Sequence, residues 1–165
     1  MKLIKINPEV YYCGDVSQAS EKEVQFLKKI ASSNQRKRAR LCAHPDENDL
    51  LHEMLIVHSS GNYIRPHKHL TNSESFHVIE GEALLVLMDE TGEVQSRVPL
   101  GPISSGRTFF YRIPDSEFHS LEVISDFFVF FEVTNGPFKR DNVIFAPWAP
   151  EEPEVSFEAR RGDNP

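Results

Sequence analysis

From Leu50 onward the chain reads as a succession of short apolar or β-branched runs, each closed by turn chemistry. The runs are Leu51–His58, Asn62–His67, Ser75–Glu80, Glu82–Met88, Val94–Leu100, Phe109–Ile113, His119–Ile124 and Phe127–Val133. Between them stand Ser59-Ser60-Gly61, Asp89-Glu90-Thr91-Gly92, Pro114-Asp115 and Asn135-Gly136, residues that reverse a chain at low steric cost. Strands so short and so regularly punctuated bury their apolar sides only against one another, in a sandwich or barrel. The prediction is an all-β fold in one domain spanning 1–165. Residues 1–49 form an N-terminal strand and helix segment, 50–136 the core, and 137–165 a tail that packs on the surface and frays at Arg160–Pro165.

The first fifty residues have another texture. Lys2 to Ile6 suits a short strand that stops before Pro8. Ser20 and Glu23 have the S-x-x-E spacing of a capping box, and Val24, Leu27, Ile30 and Ala31 recur at helical intervals. A helix is expected from about Glu21 to Asn34. Its end runs into Arg36, Lys37, Arg38 and Arg40, cations favoured near a helix C-terminus and also suited to clamping an anion. The whole chain carries 18 basic and 25 acidic residues, a balance of −7 that argues against a general nucleic-acid binder. No apolar stretch has the length of a membrane span, no signal-peptide core follows the N-terminal lysines, and Cys13 and Cys42 are no disulfide scaffold. The expectation is a cytoplasmic protein with no membrane partner.

One segment carries recognisable chemistry. His67 and His69 are two apart, so on an extended backbone both imidazoles face the same side. Glu74 follows after a polar stretch long enough to turn the chain and bring a carboxylate back. Two imidazoles and a carboxylate are the donors of a facial triad on a divalent transition metal. His119 is available as a fourth ligand, since a closed barrel lets strands distant in sequence line one interior. Fe, Mn, Zn and Ni all tolerate such a donor set, so one divalent ion is the predicted cofactor.

The spacing Gly61, His67-x-His69, Glu74, Gly81 resembles the first cupin motif in its fixed positions. Pro114 and His119 keep the separation of the second motif, in which Ser116, Val123 and Thr108 replace its usual glycine, asparagine and leading glycine. The runs RARLCAHP (38–45), HEML (52–55), YIRPHKH (63–69), ESFHVIEGE (74–82), YRIP (111–114) and FAPWAP (145–150) are similar to the WbuC family of cupin-fold metalloproteins. That resemblance implies a cupin jelly roll, or double-stranded β-helix, with a short N-terminal helix and a metal at His67, His69, Glu74 and His119. It further implies a homodimer and a setting in bacterial surface-polysaccharide synthesis, hence a small-molecule ligand such as a sugar or nucleotide-sugar. The reaction would be isomerase-like or epimerase-like Lewis-acid chemistry or iron-dependent oxygen chemistry, with a non-catalytic sugar-binding cupin as the alternative.

Further ligand contacts are expected around the metal. Strand parity places Tyr63 and Arg65 on the side of His67, Tyr111 flanks the Pro114 turn with His119, and Glu132 shares a side with Phe128 and Phe130. Arg38, Arg40 and His44 are candidate contacts to an anionic substrate. His77 is one step off the Glu74 face and should point outward, while His52 and His58 should be core histidines. Two look-alikes are set aside. Gly101–Thr108 approximates a phosphate loop, but a strand follows where a helix must open, and His52–His58 lacks the i, i+4 spacing of a zincin. No catalytic residue is assigned.

Overall fold

The computed structural model describes residues 2–14, 17–113 and 116–153. Two sheets face each other. The larger contains β1 (Leu3–Lys5), β2 (Val10–Cys13), β3 (Arg38–Cys42), β4 (Leu51–Ser59), β11 (Phe127–Asn135), β6 (Glu74–Glu80) and β9 (Phe110–Ile113), in that spatial order. The smaller contains β12 (Val143–Phe145), β5 (His67–His69), β10 (Phe118–Val123), β7 (Ala83–Met88) and β8 (Val94–Leu100). The chain crosses repeatedly from one sheet to the other, the signature of a jelly roll. All of these pairs are antiparallel except β2 with β3.

Register decides which side chains meet inside. Met54 pairs with Glu132 and Glu132 with Phe76, while Ile56, Phe130 and Val78 form the next row. The inward residues Phe76, Phe128 and Phe130 pack against Leu85, Leu87 and Leu121 of the opposite sheet as one core. Each fully buried Phe or Leu contributes about 1.5–3 kcal/mol. The expected phenylalanine parity on β11 is therefore the observed one. Gly81, in the turn from β6 to β7, has φ +80°, and a Cβ there would lie 1.9 Å from the Phe127 carbonyl oxygen, so only glycine fits.

Helix α1 (Glu21–Ser33) starts at the predicted capping box, with Ser20 and Glu23 bonded reciprocally. Its buried Leu27 and Ala31 lie on Ala39, Leu41, Leu55, Val57 and Val129, on the outer face of the larger sheet. It is not long and apolar enough to cross a membrane, nor is any other helix of the described residues.

Three strands depart from the sequence expectation. Val10–Cys13 and Val143–Phe145 pair as β2 and β12, the latter within the expected tail. The helix stops at Ser33 with no basic residue in its last turn, and Arg38–Cys42 extends as β3. There Ala39 and Leu41 point out beneath the helix, and the charged parity faces the barrel. Finally, Asn62–His67 is not a strand. Pro66 has no N–H to give a ladder, its carbonyl accepts from the Ala146 N–H at 2.8 Å, and pairing begins only at His67. The expected parity of Tyr63 and Arg65 with His67 therefore has no strand beneath it. The Pro114 turn and the expected fraying at Arg160–Pro165 lie outside the described residues.

Candidate metal centre

The four predicted ligands converge from three strands. His67 and His69 flank Lys68 on β5, whose extended backbone turns both imidazoles inward. His119 stands directly across the ladder from His67 on β10. Glu74 opens β6 on the opposite sheet and closes the cluster from across the barrel. One ligand atom from each of the four lies within 4.8 Å of every other. Glu74 Oε2 is 2.8 Å from His69 Nε2 and 3.3 Å from His119 Nε2. Glu74 and His119 are buried, and His67 and His69 are half-buried.

Hydrogen bonding orients the rings. The Nδ1 of His67 lies 2.9 Å from the Arg65 carbonyl, and that of His119 lies 3.0 Å from the Glu117 carbonyl. A ring that donates Nδ1–H to a carbonyl presents a bare Nε2, the state in which histidine binds a metal. His69 Nε2, His119 Nε2 and Glu74 Oε2 are then three buried polar atoms that face one another with no hydrogen-bond partner outside the cluster, all aimed at one point. Buried polar atoms are nearly always satisfied, and a divalent cation completes all three at once. The donor set fits a metal.

Electrostatics agree. Burial, then the neighbouring His119, pushes His67 down to about 3, so its imidazole stays neutral. Burial pushes the Glu74 carboxyl up, but contacts with His119 and His69 outweigh it and hold the group well below the usual carboxylate range. Glu132 goes the other way: burial and the Glu74 charge raise it well above that range, against the opposing pull of Arg40.

The remaining sequence-predicted residues fall into three places. Glu132 and Tyr111 flank Phe76 in one inward row, two residues further along β6 than Glu74, and Arg40 faces the same interior from β3, with Nη1 3.9 Å from Met54 Sδ. Arg38, Tyr63 and Arg65 are engaged by the C-terminal segment. Arg38 binds Glu9 and Glu152, the Tyr63 hydroxyl donates to the Pro150 carbonyl at 2.9 Å, and Arg65 Nη2 donates to the Ala146 carbonyl at 3.0 Å. His44 is elsewhere, accepting from the Glu53 N–H and stacked on His52 with ring centroids 4.1 Å apart. His77 is exposed, and His52 and His58 are buried, as their parities require.

Two features had little or no sequence signal. Phe145 on β12 pairs with His67, lies with its ring centroid 5.9 Å from that imidazole, and carries the Arg65 guanidinium over its face at 5.4 Å. The run FAPWAP contains it, but nothing local says that it forms a strand. Glu152, which binds Arg36 and Arg38 and also accepts from the Arg65 N–H at 3.0 Å, sits in an acidic tail with no pattern to single it out. A surface cavity of about 470 Å³, lined by Ser73, Ser75, Phe110 and Arg112 among others, opens elsewhere, and none of the four ligands lines it.

Two facing, mainly antiparallel sheets with a three-histidine, one-carboxylate cluster between them define a cupin jelly roll. Among solved structures the chain is similar to protein SO0799 from Shewanella oneidensis, at 14% identity over 78% of this chain and 84% of that one, with a TM-score of 0.57. It is also similar to KdgF from Halomonas sp., at 16% identity over 63% of this chain and 82% of that one (TM-score 0.47). A third match is oxalate decarboxylase from Bacillus subtilis, at 19% identity over 59% of this chain and 24% of that one (TM-score 0.47), so the chain spans about a quarter of that enzyme. At these identities the likeness is one of fold. Residues 19–100 match a family model described as a domain of unknown function (DUF6016). No curated protein matches the sequence.

Proposed function

We propose that the protein is a metal-dependent cupin enzyme acting on a small polar metabolite, with a sugar or nucleotide-sugar of surface-polysaccharide synthesis as the favoured class. The observation that carries it is the convergence of four metal-type donors, three of whose buried atoms find no hydrogen-bond partner outside the cluster. His67, His69, Glu74 and His119 would hold one divalent ion, with Fe, Mn, Zn and Ni all compatible. When bound, that ion supplies Lewis acidity toward a carbonyl or hydroxyl oxygen, or, as Fe(II), a centre for oxygen chemistry. The Arg65 and Glu117 carbonyls fix the imidazole tautomers, and the buried Phe76–Phe130 pair makes the inner side of the barrel apolar. Glu132 and Tyr111 contribute a carboxyl and a phenol on the Glu74 side of the barrel, where a bound hydroxyl would find a hydrogen-bond partner.

Membership of the WbuC family is part of this proposal and rests on the runs around RARLCAHP, YIRPHKH and ESFHVIEGE. A cytoplasmic setting is a further part, and so is a homodimer, which the exposed Ile79, Phe109 and Phe110 near the outer edge of the larger sheet support. The alternative is a binder in which the ion only orients a sugar. Turnover of candidate sugars and nucleotide-sugars by the chain loaded with each metal separates the two. The enzyme reading expects product that His119→Ala abolishes, whereas unchanged substrate under every condition leaves the binder.

A further inference from the structure

The basic run Arg36–Arg40 does not act as a unit. Arg36 binds Glu9 at 3.1 Å and also Glu152, and Arg38 binds the same two carboxylates at 3.4 and 2.8 Å. Both guanidiniums are therefore neutralised inside the protein. Arg65, their neighbour through Glu152, is held by the Ala146 carbonyl and by Phe145. Arg40 differs. It is half-buried, it faces the barrel interior, and among the described residues no carboxylate lies within ion-pair distance of it. Its guanidinium donates to Met54 Sδ, a weak acceptor, while Glu9 and Glu132 feel its charge from beyond ion-pair distance.

That position is costly unless an anion completes it. A guanidinium carries five fixed donors matched to a carboxylate or phosphate fork, and removing them from water without a partner is unfavourable. Glu9 accepts the Arg40 backbone N–H at its carbonyl but turns its carboxylate to Arg36 and Arg38. The row that Arg40 reaches toward, Met54–Glu132–Phe76, runs beside the Glu74 end of the metal cluster. We infer that Arg40 anchors the anionic group of the ligand whose other end meets the metal, so that the ligand is a carboxylate-bearing or phosphate-bearing metabolite and not a neutral sugar. The inference rests on the metal-site reading and names the class of molecule that site takes.

Bifunctional probes test it. Acetohydroxamate chelates a metal without carrying a second charge, while the monohydroxamates of succinic and glutaric acid add a carboxylate at two reaches. Calorimetry on the metal-loaded full chain, with metal content measured on the same sample, should show at least one carboxylated probe binding about tenfold or more tightly than acetohydroxamate. Arg40→Gln should erase that preference at unchanged metal content, and Arg40→Lys should keep part of it. Amide analogues of the same probes, run on the wild-type chain, give the comparison without any substitution and should bind no better than acetohydroxamate. Equal binding of charged and uncharged probes overturns the inference, as does a preference undiminished in Arg40→Gln, while either leaves the metal site standing. A chain that takes up neither metal nor hydroxamate overturns both.

Discussion

His58 should make the fold acid-sensitive by an amount that can be worked out. Its ring is buried on β4 with an edge against Phe130, the centroids 5.3 Å apart, and its Nδ1 has no hydrogen-bond partner. Burial first, and the Arg40 charge second, push the imidazole from its ordinary 6.5 down to about 3. The folded chain cannot hold a proton there in mild acid, whereas the unfolded chain binds one below 6.5. Stability is therefore highest above pH 6.5 and falls as pH drops toward 3, by up to about 1.4 kcal/mol per pH unit. At pH 5 the loss is about 2 kcal/mol from this residue. His58→Leu keeps an apolar side chain of similar size and removes the titration. Urea unfolding of metal-free wild type and variant, stepped from pH 7 to 4.5, should show the variant losing less stability with acid by about that slope. His67, also held down to about 3, contributes equally to both chains and cancels. Parallel stability curves would refute the reasoning, because they would mean that His58 takes up its proton without unfolding.

Three further outcomes follow from the same contacts. Glu152→Gln leaves Arg36 and Arg38, each less than a fifth exposed, short of a carboxylate. It should cost roughly 2–3 kcal/mol and make residues 146–152 more sensitive to proteolysis. Gly81→Ala forces a side chain onto the Phe127 carbonyl at a left-handed φ, so thermal unfolding should show a loss of about 3 kcal/mol or more. Ser20→Ala removes the capping box of α1 and should cost about 1 kcal/mol without changing metal content.

The candidate metal cluster was legible because H-x-H on a strand and a carboxylate after a polar turn are short-range patterns, and the barrel only had to bring His119 alongside. The core strands other than the expected Asn62–His67 were legible for the same reason, down to the inward parity of Phe128 and Phe130. β3 was not. Its apolar residues Ala39 and Leu41 face an outer helix and its arginines face the interior, the reverse of the usual pattern, so it read as a basic helix end. Arg36 and Arg38 looked free for a ligand because their partners, Glu9 and Glu152, lie far away along the chain. No local pattern encodes a pairing over that separation, and only the fold could show that, among the described residues, Arg40 alone of the three has no carboxylate within ion-pair distance.

Metal stoichiometry tests the central claim most directly. Elemental analysis of the gently purified wild-type chain should find about one divalent transition-metal ion per chain, and Glu74→Ala and His119→Ala should lose it while remaining folded. A wild-type chain that binds no ion when offered Fe, Mn, Zn or Ni, or variants that keep a full complement, would contradict the assignment of these four residues as a metal centre.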